Sequence, residues 1–234
     1  MKLIYLYLLI ITPNIYCQNN SGVIIYKAYL PSDYIVSDTT KVDKNISDEI
    51  KKMFEAVKKL EFELKFNTSS SSFNIVKKMN QNNDRGEVLA NTFYGNIEYY
   101  FNREKNYFIR KRQNNFIKIN DSINWNLLNE VKFVNGYECY KATYEYTFLN
   151  RKGIEAKRDI TAWYCPKIPV NVAPENYNGL PGLVLELNTG KIIYVAKELN
   201  FFDDEIKIDF PKGKILSEEE YSKKLNENSI LHQK

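Results

Sequence analysis

Residues suited to catalysis are scarce in this sequence. Its single histidine, His232, stands near the C-terminal end, so a serine or cysteine nucleophile would lack the base that such sites use. Histidine, cysteine and carboxylate residues do not recur at the spacing of a metal site, and no glycine-rich phosphate loop or dinucleotide fingerprint occurs. We therefore predict no metal and no cofactor, and we favour a non-enzymatic protein while leaving an enzyme open.

Carboxylates are the remaining groups for acid–base chemistry. Asp159, Glu186 and Glu198 are candidate acids, and a cleft that brings two of them within about 5–10 Å would favour a carboxylate enzyme. The acidic run at residues 203–205 offers oxygen ligands for a hard cation. Three adjacent acids before a strand are, however, typical of a solvated turn, which is the structure we predict there.

Basic and aromatic residues are interleaved between residues 103 and 118. The basic ones are Arg110, Lys111 and Arg112, set among Tyr107, Phe108 and Phe116. Such a mixture can bind single-stranded nucleic acid, but it also describes strands with a polar outer face and an aromatic inner face. Since the formal net charge is only +4, we predict strands here and no nucleic-acid partner.

Two cysteines are predicted to face each other across a β-hairpin. Two segments of alternating polarity flank a loop, residues 151–153, that ends in glycine, a closure favoured in hairpins. This loop pairs Asn150 with Ile154, so Cys139 lies opposite Cys165. Opposed residues of antiparallel strands lie within the span of a disulfide. We predict that bridge, with two unpaired thiols on neighbouring strands as the alternative.

A second hairpin is predicted farther along the chain. It follows a turn made of Gly179, Leu180, Pro181, Gly182 and Leu183. Proline followed by glycine suits the centre of a type II turn, in which the glycine takes a positive φ. The next loop, residues 188–190, again ends in glycine, and a three-residue closure there predicts that Leu185 faces Ile193.

The elements that hold these groups are mostly strands. The chain has 18 tyrosines and 13 phenylalanines, residues that favour sheets. A strand that Pro31 ends is predicted at residues 22–30, and period-two patterns predict strands at residues 61–67 and 72–78. Residues 87–120 are predicted to carry further strands, at residues 96–100 and 107–112, broken by polar turns.

Two helices are predicted. An apolar stripe marks residues 47–59, with Ser47 as the N-cap. A short C-terminal helix is predicted at residues 217–226, because Ser217 and Glu220 have capping-box spacing. The fold class is therefore mainly β (α+β): a curved antiparallel sheet or incomplete barrel wrapped around the helix at residues 47–59.

The first 17 residues are predicted to be a removable signal peptide. Lys2 precedes an apolar run, residues 3–11, that is too short to span a membrane. Cleavage after Cys17 would leave residues 18–234 as one domain without a transmembrane segment, and lipidation of Cys17 is the alternative. The predicted location is the periplasm or the outer cell surface.

A family resemblance is carried by residues 162–187 and by the Gly-Tyr-x-Cys segment at residues 136–139. The pair Trp163-Tyr164, the prolines that follow it and the turn ending at Leu183 together resemble the GLPGLI family of exported bacterial proteins. Val184 stands where the family's name has isoleucine. The resemblance implies a β-rich fold and a periplasmic or surface location, but no established activity and no catalytic residue.

The aromatic segment from Trp163 to Leu183 has two interpretations. In the first, the mouth of an apolar cavity is lined by Trp163, Tyr164 and Tyr177. In the second, Trp163 covers the cysteine pair and the prolines shape an irregular crossing. An apolar-striped helix beside an aromatic-rich sheet predicts a carrier of an apolar ligand or an accessory protein of an outer-membrane system. A carboxylate enzyme and a structural or protein-interaction module are the alternatives.

Overall fold

The computed structural model describes residues 21–31, 44–77, 84–112, 114–120, 122–150 and 153–231. The predictions for the signal peptide, Cys17 and His232 lie outside these residues. Across the described part, twelve strands form a single sheet. The strands are β1 Ser21–Tyr29, β2 Glu61–Phe66, β3 Ser70–Ile75, β4 Glu98–Asn102, β5 Tyr107–Arg112, β6 Asn115–Ile119, β7 Asn126–Val134, β8 Tyr137–Leu149, β9 Glu155–Cys165, β10 Leu183–Asn188, β11 Ile193–Phe202 and β12 Ile215–Leu216. The described helices are α1 Lys44–Val57, α2 Arg85–Tyr94 and α3 Glu218–Leu231.

The sheet is open and almost entirely antiparallel. Its strand order is β12-β6-β5-β4-β3-β2-β1-β11-β10-β9-β8-β7, and the parallel pair is β12 with β6. β1 lies in the middle, where it pairs with β2 on one side and with β11 on the other. The predicted mainly β, antiparallel fold is confirmed, and the sheet does not close into a barrel.

The hydrophobic core lies between the sheet and the first two helices. Four aromatic rings form its centre, with centroids 5.1 to 6.1 Å apart: Tyr26, Phe62, Phe73 and Tyr194. Ala56 and Val57 of α1 and Ala90 of α2 are buried in the same core. Aromatic pairs of this kind contribute about 0.5–1.5 kcal/mol each beyond their burial, so this cluster fixes the sheet's central strands.

Helix α2 occupies the start of the stretch at residues 87–120 that was predicted to contain strands and turns. Its buried residues are Gly86 and Ala90, one helical turn apart, and both are too small to produce a visible apolar stripe. A Cβ at Gly86 would lie 2.7 Å from the backbone carbon of Lys52, so glycine lets α2 pack closely on α1. Helix α1 begins at Lys44, which places Ser47 inside the helix and makes its predicted N-cap role wrong. No glycine or proline opposes this extra turn.

The β8–β9 hairpin has the predicted register. Its opposed residues run from Tyr140 with Tyr164 to Leu149 with Glu155. The N–H of Asn150 donates to the carbonyl of Ile154 at 2.9 Å, and Gly153 has a φ of +72°. The local turn chemistry therefore determined the pairing of the whole hairpin.

Cys139 and Cys165 are both fully buried and carry free thiols in this structure. The β8–β9 ladder begins one residue beyond them, at Tyr140 and Tyr164. On their other sides, Cys139 pairs with Lys132 of β7 and Cys165 with Leu183 of β10. Burial, and then the nearby thiol of Cys165, raises the pKa of Cys139 to about 12. The predicted bridge is not formed in this structure, although the cysteines directly precede and follow the ladder in the predicted register.

The predicted β10–β11 register is wrong. Leu187 pairs with Tyr194, and Leu185 does not face Ile193. The loop contains four residues rather than three, because the hydroxyl of Thr189 accepts the N–H of Ile192 at 3.2 Å. The Thr189 N–H also donates to the Ile192 carbonyl at 3.0 Å, and this pair of bonds closes the longer loop.

The turn before β10 is not of type II. The N–H of Gly182 donates to the carbonyl of Leu180 at 2.9 Å, which is the two-residue span of a γ-turn centred on Pro181. Gly182 is needed for a different reason: a Cβ there would lie 2.3 Å from the carbonyl oxygen of Cys165. Glycine therefore allows this segment to pack directly on the end of β9.

Candidate functional site

A cleft of about 360 Å³ opens where strands from the two ends of the sheet approach each other. One wall comes from β4, β5 and β6 and the other from β8 and β9, so the sheet must curve strongly. Six aromatic side chains line the cleft: Phe93, Tyr94, Tyr99, Tyr144, Tyr146 and Tyr177. We call it the tyrosine cleft. Its volume lies at the small end of the range for ligand sites.

Charged groups also line the tyrosine cleft. The cations are Arg110, Arg158 and Lys191, and the carboxyl groups are Glu175 and Glu218. Arg110 lies 3.6 Å from the exposed Glu218, and its Nε is buried with no hydrogen-bond partner among the described residues. Partial burial is the main cause that lowers the pKa of Lys191, and repulsion from Arg158 lowers it further. These positive groups crowd one another, which favours the entry of an anion.

Glu175 lines the cleft and is half-buried. It has a φ of +57°, an uncommon conformation for this residue type that must be held by its surroundings. The hydroxyl of Tyr194 donates to its carboxylate at 2.7 Å, and Tyr99 is a second hydrogen-bond partner. Burial of the carboxyl raises the pKa of Glu175 even though these hydrogen bonds and Lys191 favour the charged form.

The tyrosines around Glu175 remain protonated hydrogen-bond donors. Burial is the largest cause that raises the pKa of Tyr99, Tyr177 and Tyr194, and the carboxyl of Glu175 raises each of them further. Tyr194 is also fixed by its ring contacts with Phe62 and Phe73. The aromatic core therefore positions the hydroxyl group that holds Glu175.

Residues 166–182 carry Glu175 and Tyr177 across the end of the sheet. Two asparagine side chains hold this crossing: Asn171 Oδ1 accepts the N–H of Gly179 at 2.5 Å, and Asn178 Oδ1 accepts the N–H of Ala173 at 2.8 Å. The indole N–H of Trp125 donates to the carbonyl of Asn178 at 3.2 Å. Leu180 and Leu183 are buried, so the turn that ends at Leu183 anchors the crossing to the core.

Of the three aromatic residues predicted to bind a ligand, Tyr177 lies in the tyrosine cleft. Trp163 lies on β9 between two lysines, with the ammonium of Lys132 4.6 Å from its ring centroid and that of Lys141 6.0 Å away. Tyr164 is buried and packs beside Tyr140, with ring centroids 6.3 Å apart. A ligand-binding role for Trp163 and Tyr164 stays a prediction.

The predicted acids do not line the tyrosine cleft. Glu186 accepts both of its hydrogen bonds from Lys132 at 2.7 Å. Asp159 lies opposite Glu145 on the hairpin, and Glu198 is exposed beside Lys197. Sequence reasoning missed Glu175, because a single acid in an irregular proline-rich segment has no periodic or spacing signal. The described residues contain no group of three or more potential metal ligands.

The edge strand β7 exposes apolar side chains. Leu127, Val131 and Phe133 are 52%, 48% and 71% exposed, and β7 ends the strand order. An open edge with apolar residues is a common site of strand addition, which keeps the interaction-module alternative open. No helix in the described part of the chain is both long and apolar enough to cross a membrane.

Comparison with known proteins gives a family match and a fold match. A family described as "Protein of unknown function (Porph_ging)" matches residues 148–186, which span β9, the crossing and most of β10. No curated protein matches the chain. Among solved structures, PNGF-II in the P21 space group is 15% identical with a TM-score of 0.50, and the match covers 87% of this chain and 32% of that one. PNGF-II in the C2 space group is 13% identical, with the same TM-score and coverage.

These matches concern different properties. The family match covers a short segment and has no assigned activity. At this identity the similarity to PNGF-II concerns the fold alone, and the chain spans about a third of the PNGF-II chain.

Proposed function

We propose that this protein is a non-enzymatic binding protein that holds a small anionic ligand with an apolar or aromatic body in the tyrosine cleft. The observation that carries the proposal is the convergence of Arg110, Arg158 and Lys191 on a cleft whose buried carboxyl has a raised pKa. The flat faces of Tyr144, Tyr146 and Tyr177 would contact the body of the ligand. A purely apolar ligand is disfavoured, because it would displace water from these cations without offering them a negative charge in exchange.

Matched probes test the charge requirement. Benzoate and benzamide have nearly the same shape, but only benzoate is an anion, so benzoate should bind about tenfold more tightly. Replacing Lys191 by methionine should remove most of that preference, because it deletes one cation from the wall of the cleft. Lys207, whose side chain is 84% exposed and lies outside this cleft, gives the control variant Lys207→Met. Equal binding of the two probes, measured by calorimetry, would refute the proposal.

An enzyme that uses Glu175 as its acid is the second candidate. A carboxyl with a raised pKa beside tyrosine hydroxyls in a cleft is typical of a general acid. Native mass spectra of wild-type protein and Glu175→Gln, both recovered from their cells, separate the two candidates. A binding protein should carry the same small molecule in both. An enzyme would accumulate its substrate only in the variant.

We further propose that the chain is an exported cell-envelope protein related to the GLPGLI family, with a Cys139–Cys165 bridge formed outside the cytoplasm. The supporting observations are the short apolar run at residues 3–11, the opposed cysteine positions and the family match across the segment that carries the resemblance. A denaturing mass spectrum of protein from the cell envelope should show Gln18 as the first residue and the loss of two hydrogens. A lipid mass on Cys17 would instead support membrane tethering.

A further inference from the structure

A second cleft of about 360 Å³ adjoins the tyrosine cleft. Five asparagines line it: Asn106, Asn120, Asn171, Asn176 and Asn178. We call it the amide cleft. The two clefts share Ile119, Ile123 and Asn176, so they lie side by side, and we call the pair the groove. One end of the groove is cationic and aromatic, and the other is rich in neutral amides.

The amide cleft has the chemistry of a site for hydroxyl groups. Each carboxamide offers two donors and one acceptor, whereas each ligand hydroxyl both donates and accepts. Arg103 is the single charged residue among those described that line the cleft, so selection there depends on hydrogen bonding more than on charge. Two of the amides are oriented by the chain itself, since Asn171 and Asn178 each accept a backbone N–H.

An aromatic surface accompanies the amides. Phe101 and Phe108 lie on β4 and β5, with their rings stacked and their centroids 4.5 Å apart. Both rings line the amide cleft. A sugar ring presents hydroxyl groups at its edge and C–H groups on its face, so amides beside a phenyl ring match both parts of it.

We propose that the ligand of the groove is an acidic oligosaccharide. Its carboxylate lies near Arg158 and Lys191 in the tyrosine cleft, and a hydroxyl-bearing ring extends past Asn176 into the amide cleft. This inference rests on the proposed anion-binding function and specifies its ligand class. Neither cleft alone selects for this combination, because one supplies the positive charge and the other the amides.

Tryptophan fluorescence provides a local reporter for the test. The chain has two tryptophans, so Trp163→Phe leaves Trp125 as the sole one. The Trp125 ring lies 3.6 Å from where a Cβ would stand on Gly179, a residue of the amide cleft. In this background we would titrate digalacturonate, the glucuronate–N-acetylglucosamine disaccharide, their methyl esters and benzoate. At least one acidic disaccharide should bind about tenfold more tightly than its ester and than benzoate.

Variants separate the two parts of the groove. Asn120→Ala and Asn106→Gly remove amides that line only the amide cleft, and glycine tolerates the φ of +46° at position 106. Each should weaken the acidic disaccharide about three- to tenfold, the loss expected for one hydrogen bond, and leave benzoate unchanged. Asn200→Ala, on exposed β11 surface, is the control.

The possible outcomes are distinct. Benzoate binding without any preference for a disaccharide would overturn the sugar inference and leave the proposed anion-binding function intact. If benzoate and benzamide bind equally and no acidic disaccharide binds, both proposals fail. A disaccharide whose binding is insensitive to both asparagine variants would also contradict the role of the amide cleft.

Discussion

Replacing Glu175 by glutamine should stabilise the protein at neutral pH but not in acid. Burial raises the pKa of Glu175 in the folded protein, so the folded state binds its proton more tightly than the unfolded chain does. The contribution of Glu175 to wild-type stability therefore falls as pH rises from the unfolded pKa, about 4.3, through the folded pKa. Glutamine keeps an oxygen that accepts the hydrogen bond from Tyr194 and has no charge to desolvate.

The size of this effect follows from linkage. For each unit by which the folded pKa of Glu175 exceeds the unfolded one, the wild-type protein is destabilised by about 1.4 kcal/mol at pH values above both. The stability difference between Glu175→Gln and wild type should be near zero below about pH 4, and it should grow with pH before reaching a plateau. Urea unfolding from pH 3.5 to pH 8 measures this difference. Its plateau gives the pKa of Glu175 without a ligand.

One comparison controls for the loss of a negative charge. Glu130 is exposed and pairs with Lys141 at 2.9 Å, so Glu130→Gln should change stability by less than about 0.5 kcal/mol at pH 7. If the difference for Glu175→Gln is constant over the whole pH range, or if the variant is less stable at pH 7, the account of the buried carboxyl is incorrect.

Three further predictions concern packing and hydrogen bonds. Gly182→Ala should lower the free energy of unfolding in urea by about 3 kcal/mol, because the added Cβ meets the Cys165 carbonyl. In the control, Gly153→Ala, the added Cβ meets no atom within 4 Å, so the loss should be about 1 kcal/mol, for its positive φ. Tyr194→Phe and Tyr26→Phe each lose one buried hydroxyl hydrogen bond, worth about 1 kcal/mol; only the cost of Tyr194→Phe should grow as pH rises above about 4, because its partner is a carboxyl. Ser217→Ala should destabilise the start of α3 by about 1 kcal/mol, which faster hydrogen exchange there would measure. The reason is that the Ser217 hydroxyl accepts the N–H of Glu220 at 3.1 Å, while the Glu220 carboxylate accepts the N–H of Ser217 at 2.8 Å.

Local chemistry made the β8–β9 hairpin and the start of α3 predictable. In the hairpin, a glycine-ended loop and thirteen residues of alternating polarity in β8 specify one register. At α3, Ser217 and Glu220 form the expected reciprocal bonds. Each of these structures depends on residues close together in sequence, so the sequence pattern contains the whole interaction.

Tertiary contacts determined what the sequence pattern could not. Helix α2 depends on the small surfaces of Gly86 and Ala90 against α1, a contact without a periodic signal. The β10–β11 register depends on the hydroxyl of Thr189, which lengthens the loop by one residue. Both features follow from the size or polarity of one or two residues, which hydrophobic periodicity does not record.

The candidate site was the least predictable part. Arg110 belongs to the interleaved basic and aromatic segment that the sequence marked, but Arg158, Glu175 and Lys191 come from three other segments. Their convergence exists only because strands near the two ends of the sheet approach each other. The pattern of charged residues along the sequence therefore indicates Arg110 but not the three charged residues that join it in the cleft.

The central position of β1 has a consequence for how the chain folds. β2 is the next strand after β1 in the sequence, but the other neighbour, β11, ends at Phe202 and pairs there with Ser21. During synthesis, one side of β1 is therefore left without its hydrogen-bond partner until most of the chain has been made. Such long-range pairing slows folding and exposes a strand edge to aggregation. A chaperone that shields this edge of the nascent chain should raise the yield of native protein more than one that acts on the completed chain.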